Sequence, residues 1–515
     1  MVETTPVDMA TDVATDIAVS AVFDDALREA TVTTTAFTLS RGQEATVGAA
    51  SLAAEETAVF TPESPLALLT EYTAIVTTEI ESLTGGALEA DYEWVFTTRD
   101  GLWRTEELIQ TDNEGPASAP QVAVNASGSA LAVWVQSDAL RSKIWANRYT
   151  PTEGWGVAQR IDGIIPNDAR SPQVAIDPSG NGLATWQQSD GIRLSVWANR
   201  YTPDGGWETA ELIETGDAGD ANAAGVVVDA SGNGLAAWSQ SDGTTGHAWA
   251  NRYTPTEGWG SAQRIDGNNP GRGTTPHLAV NPSGNAVAVW GQFDDTRFHM
   301  WANHYTPASG WGSAGPIEDN DAGNAGGQQV AIEPNGDAVA VWSQVGDEFT
   351  VIWANRYTVN SGWGAPERID GNDSSNAGAP QVAVDRNGVA LAVWSQIDGL
   401  SLAIWSNRYS PAKGWERVER IRSDTASRPG SPRLAVDPNG NGLAMWAQDG
   451  GAGVDVIWWS RYIPARGWGV AERIRTDGDG RALSPKVAID SNGKALLVWH
   501  QDISPNRNIW SRRFE

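Results

Sequence analysis

Three residue types that can recognise a sugar return along most of this chain, about every 52 residues. An indole ring can stack on a sugar face, a guanidinium donates paired hydrogen bonds, and a carboxylate accepts hydroxyl protons. The tryptophans follow a glycine, the arginines lie in an Asn-Arg-Tyr triplet, and the aspartates come shortly after Trp-x-Gln. These candidate ligand-binding residues are Trp155, Trp207, Trp259, Trp311, Trp363, Trp415, Trp468, Arg148, Arg200, Arg252, Arg356, Arg408, Asp138, Asp190, Asp242, Asp294 and Asp398.

The same residue types also have purely structural uses, and the sequence leaves both interpretations open. A repeated Trp fills the space between repeated units, because large aromatic rings dominate packed cores. An Arg in each unit can stack on a ring or pair with a carboxylate of the next unit. An Asp at a turn bonds to its own backbone. The Gln of Trp-x-Gln is either a buried amide that satisfies backbone groups or a contact to a sugar hydroxyl.

Calcium is the one metal ion for which the sequence offers candidate ligands. Several connecting segments are rich in the oxygen ligands that Ca²⁺ prefers, although none completes a twelve-residue calcium loop with its terminal Glu. Flexible, solvated loops are the alternative, and no other cofactor is expected. The groups are Asp319, Asp321 and Asn324; Asp370, Asn372 and Asp373; and Asp477 and Asp479.

No catalytic residues are predicted. An enzyme built from repeats needs one unit that carries an acid–base pair the others lack, and these units are nearly interchangeable. The chain has five His residues, of which His277, His299 and His304 fall in one unit. We expect that grouping to be a coincidence, and we expect the protein not to be an enzyme.

The elements that position these residues follow from the repeat. Trp-x-Gln begins at Trp134 and recurs to Trp499, with six spacings of 52 residues and one of 53. Each unit contains four short runs typical of strands, named a to d, with turn signals such as Pro-Ser-Gly-Asn between them. For example, "QVAID" is strand a, "LATWQQSD" strand b, "SVWANRY" strand c and "WETAELI" strand d. A period near 50 residues with four strands per unit predicts a β-propeller.

The ends of the repeat predict a closed ring. The last unit stops after strand c, and "WRTEELI" at 103–109 matches the missing strand d. Sharing one blade between the two ends removes the exposed sheet edge. We therefore predict an eight-bladed propeller over residues 99–515, with 103–109 completing the last blade.

Strand order divides the turns between two faces of the disc. The a–b and c–d turns share one face, whereas the b–c turns and the long d–a connectors share the other. The connectors are rich in Asp. We expect this second face to be strongly acidic and to carry the ligand.

Composition and charge limit the classes of partner and of chemistry that we expect. The net charge is −29 over 515 residues, which disfavours nucleic acid. There is no cysteine, so thiolate chemistry is excluded. No apolar run of about 18 residues predicts a membrane span, and "MVETTPVDMATDV" lacks the features of a signal peptide.

Residues 1–98 lack the repeat and contain several short alternating runs, which predict a β-sandwich. The segments "PVDMATDVATDIAVSAVFDDAL", "FTPESPLALLTEYTAIVTTEI" and "WVFTT" resemble the bacterial Ig-like domains of S-layer and other exported surface proteins. That resemblance implies export to the bacterial cell surface or beyond and a spacer role, without catalytic residues.

The propeller units, "ALAVW-x-Q-x-D…W-x-NRY…GW", are similar to those of bacterial and fungal propeller lectins, including six- and seven-bladed fucose-binding families. The resemblance implies sugar sites between blades, built from Trp, Arg and a carboxylate or amide. The prediction is a non-catalytic extracellular protein that binds carbohydrate at several equal sites. The alternative is a surface scaffold or self-assembling subunit that makes only protein contacts.

Overall fold

The computed structural model describes residues 3–111, 115–138, 140–163, 167–216, 219–319, 323–371, 375–399, 401–423, 428–450, 453–474, 480–503 and 506–515. The chain forms two compact units: residues 1–104 with 491–494 and 514–515, and residues 105–490 with 495–513. The described residues are almost entirely β-strand and turn, with one 3₁₀ turn at Glu29–Thr31. None of the helices in this part of the chain has the length and apolar character needed to cross a membrane.

The N-terminal unit is a two-sheet sandwich, as predicted. Its strands are β1 Glu3–Thr5, β2 Ala10–Val13, β3 Val19–Val22, β4 Phe37–Arg41, β5 Glu44–Ala45, β6 Gly48–Ala54, β7 Thr57–Pro62, β8 Glu71–Val76 and β9 Tyr92–Thr98. One sheet has the order β1-β3-β7-β6, and the other has the order β2-β9-β8-β4-β5. The core of the sandwich contains Phe37, Phe60 and Trp94, each at most 2% exposed.

The second unit is a β-propeller whose described residues form eight antiparallel sheets, here blades 1 to 8. Strands a of neighbouring blades pack against each other, including those of blades 8 and 1, which places strand a innermost in a closed ring. The a strands are Ala117–Val124, Ala169–Ile176, Ala221–Val228, His277–Val280, Ala325–Ile332, Ala377–Val384, Arg433–Val436 and Ala482–Ile489. The b strands are Ala130–Ser137, Gly182–Ser189, Gly234–Ser241, Ala286–Phe293, Ala338–Val345, Ala390–Asp398, Gly442–Asp449 and Ala495–Ile503. The c strands are Ser142–Thr150, Leu194–Thr202, Gly246–Thr254, Phe298–Thr306, Thr350–Thr358, Ser401–Ser410, Asp455–Ile463 and Asn506–Phe514.

The outermost strand d differs from the single strand that the sequence predicts. It is broken into two short pieces that both pair with strand c: the Gly-Trp pair at the end of strand c, and a second piece near its start. The first pieces are Gly154–Trp155, Gly206–Trp207, Gly258–Trp259, Gly310–Trp311, Gly362–Trp363, Gly414–Trp415 and Gly467–Trp468. The second pieces are Gln159–Arg160, Glu211–Leu212, Gln263–Arg264, Gly315–Pro316, Glu367–Arg368, Glu419–Ile421, Glu472–Ile474 and, for blade 8, Glu107–Leu108.

The ring closes through the N-terminal side of the repeat, as predicted. Glu107 and Leu108 pair with Ser511 and Trp510 of the last strand c, and Trp103 makes an isolated bridge to Phe514. Because these residues precede blade 1 in the sequence, blade 8 is built from both ends of the repeat. The outer edge of blade 8 is therefore covered by residues that precede blade 1 in the sequence.

Blades pack through one tryptophan that is fully buried. Trp342 of blade 5, for example, lies with Ala338 and Ala340 against Val287 and Val289 of blade 4. Its counterparts in the other Trp-x-Gln sequences are at most 1% exposed. The prediction that these rings fill the space between blades is confirmed for strand b.

The glutamine of Trp-x-Gln serves the same core. In all eight blades the indole N–H donates to the side-chain oxygen of the Gln two residues later, over 2.7–3.3 Å. The Gln amide in turn donates to a connector carbonyl, as from Gln240 to Gly216 over 2.8 Å. Gln240 is 2% exposed, so its hydrogen bonds tie the d–a connector to the core of its own blade rather than to a neighbouring blade.

The asparagine of Asn-Arg-Tyr joins neighbouring blades. Asn199 donates to the carbonyl of Ile161 in the preceding blade over 2.9 Å, and the same bond recurs from Asn251 to Ile213. Asn147 makes it to Ile109, which lies beside the strand that completes blade 8. This position of the repeat thus satisfies a buried carbonyl at six of the eight junctions, including the one that closes the ring, while blades 7 and 8 have Ser460 and Arg512 there.

Candidate ligand-binding clefts

The arginine of strand c reaches across to the next blade. The guanidinium carbon of Arg356 lies 4.9 Å from the ring centroid of Tyr409, and that of Arg200 lies 6.0 Å from Tyr253. Arg513 of blade 8 lies over Tyr149 of blade 1 at 5.8 Å. These distances are within the range of cation–π attraction. The predicted Arg therefore belongs to a boundary between two blades.

The tyrosine at each boundary brings in the tryptophan of the Gly-Trp pair. Tyr149 and Trp155 belong to one blade and lie 5.4 Å apart between ring centroids, and Tyr201 and Trp207 repeat that distance. The strand register fixes the contact, because Tyr149 is paired with Trp155. An Arg from one blade thus meets a Tyr–Trp pair of the next at the boundaries of blades 2–3, 5–6 and 8–1, whereas His304 takes the place of the Arg between blades 4 and 5.

The boundary between blades 2 and 3 has a small depression with a free volume of about 10 Å³. Its wall includes Asp177, Asn181 and Arg200 from blade 2 and Tyr253 from blade 3. That volume holds about one water molecule and is far below the roughly 300–1,000 Å³ typical of drug-sized ligand pockets. A sugar ring would therefore contact the carboxylate, amide, guanidinium and phenol from the surface rather than enter a preformed pocket.

The arginines differ in how firmly the protein holds them. Arg356 donates to Glu333 over 2.8 Å and to Asp337 over 3.1 Å, while Arg200 donates to Glu208 over 3.0 Å. Arg408 pairs with Glu416. These contacts agree with the structural alternative, although the carboxylates belong to the same blade rather than to the next one.

Arg252 and Arg148 are held less tightly. Arg252 of blade 3 is exposed, and no carboxylate among the described residues forms an ion pair with it. Arg148 is half-buried, and its charge opposes the effect of burial, which raises the pKa of Tyr201 in the next blade. Arg252 is thus the predicted arginine with the most freedom to contact a ligand.

The Gly-Trp tryptophans are half-buried rather than fully exposed. Trp155, Trp207, Trp259, Trp311, Trp363, Trp415 and Trp468 all have this intermediate burial. The indole N–H of Trp155 and that of Trp468 are buried without a hydrogen-bond acceptor in the described part of the chain. What these rings offer outward is therefore an apolar edge.

The predicted aspartates lie at the other end of the blade. They occupy the b–c turns, whereas the Gly-Trp pairs follow the far end of strand c, nine residues long in most blades. At about 3.3 Å per residue, the two groups are roughly 25–30 Å apart. The structure therefore unites the predicted Arg and Trp residues and separates the Asp residues from them.

Each of these aspartates is used locally. Asp190 accepts from the backbone N–H of Ile192 and Arg193 over 2.8 and 2.9 Å, and Asp138 accepts from Leu140 and Arg141. Such bonds hold the pKa of both carboxyls below its usual value. Asp242 and Asp294 make the same turn, while Asp398 pairs with Arg420 over 2.9 Å.

The second face is less acidic than the count of Asp in the connectors suggests. Asp162, Asp266 and Asp370 are fully buried, and each pairs with the Arg two residues before it. For Asp370, burial raises the pKa while Arg368 opposes that rise. The expectation that these connector aspartates line an exposed acidic face is wrong, because the alternation of strand d turns them inward.

Only some of the candidate calcium ligands lie within the described residues. Asp370 is held by Arg368, and Asn324 accepts from the backbone N–H of Phe298 over 2.8 Å. Asp319 is exposed. The remaining candidates, Asp321, Asn372, Asp373, Asp477 and Asp479, lie outside the described residues. Among the residues that are described, no three acidic or His side chains are arranged to hold a metal ion.

The three His residues of one repeat unit do not converge. His299 lies 2.8 Å from Asp294 and 2.5 Å from Glu318, and so links the b–c turn to the end of strand d. His304 stacks on Tyr357 of the next blade with 3.7 Å between ring centroids. His277 begins the innermost strand a of its blade. Each histidine thus has a separate environment.

Sequence reasoning missed the tyrosine of Asn-Arg-Tyr as a site residue. It is the one side chain that touches both the Arg of the preceding blade and the Trp of its own blade. The signal was present, since Tyr149 and its counterparts recur in the same triplet as Arg148. What the repeat alone could not show is that this Tyr receives its Arg from a different copy.

A profile of the bacterial Ig-like domain family matches residues 1–98. No curated protein matches the chain. Among solved structures, a protein of unknown function from Dyadobacter fermentans is 12% identical, with 81% of this chain and 99% of that chain covered and a TM-score of 0.41. An ulvan lyase of polysaccharide lyase family PL25 is 8% identical, with coverages of 68% and 95% and a TM-score of 0.48. The propeller domain of the Trilobed protease from Pyrococcus furiosus is 8% identical, with coverages of 71% and 99% and a TM-score of 0.42.

Of these comparisons, only the family match to residues 1–98 supports an assignment. The Ig-like assignment of residues 1–98 is confirmed, while neither an S-layer relationship nor a similarity to lectins emerges. The propeller assignment rests on the blade topology described above.

Proposed function

We propose that this protein is a non-catalytic carbohydrate-binding protein whose sites are the clefts between neighbouring blades. The observation that supports it is the repeated meeting of an Arg from one blade with a Tyr–Trp pair from the next. Arg200 with Tyr253 and Trp259, in the cleft that also presents Asp177, is the clearest instance. Aromatic edges and charged hydrogen-bonding groups together are what a sugar ring requires.

Repetition is central to the proposal. A single small cleft binds weakly, but several equal clefts on one rigid ring engage a glycan-covered surface together. The N-terminal Ig-like domain would act as a spacer at the bacterial surface, which extends the proposal to an exported protein.

A glycan array with purified protein, in the presence and absence of calcium, provides the first test. Binding to a defined sugar should follow, with several sites per chain when that sugar is titrated by calorimetry. Binding that is unchanged by a chelator would place calcium outside the site.

Two single variants assign the site. Arg252→Ala should abolish one site and leave the melting temperature unchanged, because Arg252 is exposed. Lys413→Ala, at an exposed c–d turn residue of blade 6, is the matched control and should keep every site. A blank array together with concentration-dependent self-assembly would reject the proposal in favour of a surface scaffold.

A further inference from the structure

One register position of strand a recurs in all eight blades, and its copies form a ring around the axis of the propeller. The residue type at this position differs between blades. This position begins the regular part of strand a, and it pairs with the same register position of strand b in each blade, as Gln173 does with Thr185. From blade 1 to blade 8 the residues are Gln121, Gln173, Gly225, His277, Gln329, Gln381, Arg433 and Lys486. Four blades have Gln, so blades 3, 4, 7 and 8 depart from the pattern.

The departures face each other across the central shaft. In a closed ring of eight blades, blade 3 lies opposite blade 7 and blade 4 opposite blade 8. Arg433 therefore faces Gly225, and Lys486 faces His277. The long Arg side chain thus lies opposite the one position without a side chain, and two basic residues lie at opposite ends of the other diameter.

The three basic groups influence each other electrostatically. Burial, followed by the charges of Lys486 and Arg433, lowers the pKa of His277 to about 4. Burial, followed by the charge of Arg433, lowers the pKa of Lys486 to about 7. The shared register position on the innermost strands places the three groups around the shaft. His277 is exposed to that space, although protein atoms surround it.

Among the described residues, no acidic side chain pairs with these three basic groups, His277, Arg433 and Lys486. Arg433 donates to the carbonyl of Pro432 over 3.3 Å, which leaves most of its five N–H donors for another acceptor. Partly buried cations are normally paired, and a protein of net charge −29 has many acids with which to pair them.

We infer that the central shaft is an anion-binding site in which Arg433, Lys486 and His277 receive an oxyanion, with the Gln amides of the neighbouring blades as further donors. The ligand class is a carboxylate, sulfate or phosphate group, either free or borne by a sugar. This site is separate from the clefts between blades, and neither depends on the other.

Binding can be followed at Lys486 itself. The wild-type protein is titrated with sodium sulfate, sodium phosphate or sodium glucuronate against sodium chloride at equal ionic strength. Amine acetylation at each residue is read by mass spectrometry, and the melting temperature is recorded in parallel. We expect the anions to protect Lys486 from acetylation and to leave exposed Lys413 reactive.

A double variant tests whether Arg433 and Lys486 bind the anion. Arg433→Gln with Lys486→Gln introduces the residue that four blades already have, so the ring should fold. The rise in melting temperature with sulfate should disappear, and the affinity measured by calorimetry should fall at least about tenfold. Lys413→Gln, at an exposed residue of a c–d turn, should respond like the wild type.

A second variant guards against a folding artefact. A Cβ added at Gly225 would have only the carbonyl oxygen of Pro276 within 4 Å, at 3.8 Å, so Gly225→Glu should be tolerated and should supply a carboxylate to the ring of equivalent positions. It should fold and should lose the response to sulfate. Stronger protection by glucuronate than by sulfate would identify a sugar-borne group, and the reverse a free oxyanion. An equal response of wild type and both shaft variants to every anion would overturn the inference.

Discussion

Arg356 lies over the ring of Tyr409 in the next blade, 4.9 Å from its centroid, while the same guanidinium donates to the buried Glu333. The contact joins two copies of one sequence triplet, because Arg356 and Tyr409 occupy adjacent positions of successive Asn-Arg-Tyr repeats. Arg356 therefore contributes to stability and has little freedom to bind a ligand.

Arg356→Ala should lower the free energy of unfolding by roughly 2–3 kcal/mol, because it leaves the carboxylate of Glu333 buried with fewer partners. Arg252→Ala, at the equivalent and exposed position of blade 3, should change it by less than about 0.5 kcal/mol. Urea denaturation of the two variants measures the difference. Equal losses would show that the Glu333 ion pair and the Tyr409 ring give Arg356 no more weight than an exposed arginine.

Gln240→Leu should destabilise the propeller by roughly 1–3 kcal/mol. The substitution removes the acceptor of the Trp238 indole N–H and the donor to the Gly216 carbonyl, both of which are hydrogen-bonded to Gln240. Gln263→Leu, at an exposed residue of the same blade, is the control and should have little effect. A neutral Gln240→Leu would mean that water replaces the lost bonds.

Lys486→Gln should raise stability most at low pH. The pKa of Lys486 in the folded protein is about 7, below its ordinary value near 10.4 when unfolded. The unfolded chain therefore binds more protons between pH 7 and about 10.4, so the wild type gains stability as the pH rises through that range. Melting temperatures from pH 6 to pH 10 should show the variant ahead at pH 6 and the two proteins converging by pH 10. A constant difference would indicate that Lys486 is not desolvated.

The strand Glu107–Leu108, which completes blade 8, should be needed for the propeller to remain monomeric. A chain of residues 103–515 keeps Glu107, Leu108 and the Ile109 carbonyl that receives Asn147, whereas residues 111–515 lose all three. The shorter chain exposes the edge of the last strand c, so it should melt at a lower temperature and elute as oligomers. Size-exclusion chromatography and thermal melting compare the two chains. Identical behaviour would show that the ring is stable without closure.

Much of the fold follows from the sequence by itself. The 52-residue period, the four strands per unit and the match between 103–109 and the missing last strand determine eight blades and the manner of closure. Alternation also places Trp and Gln of Trp-x-Gln on one face of strand b. These features are local or periodic, which is why they can be read without coordinates.

Tertiary structure decides which copies meet. Arg356 and Tyr409 are 53 residues apart, and the sequence gives no sign that the Arg of one triplet serves the Tyr of the next. The same holds for Asp162, which reads as an exposed loop residue and is in fact fully buried against Arg160. The basic group formed by His277, Arg433 and Lys486 depends most strongly on the fold, because only ring closure brings the a strands of blades 4, 7 and 8 around one axis.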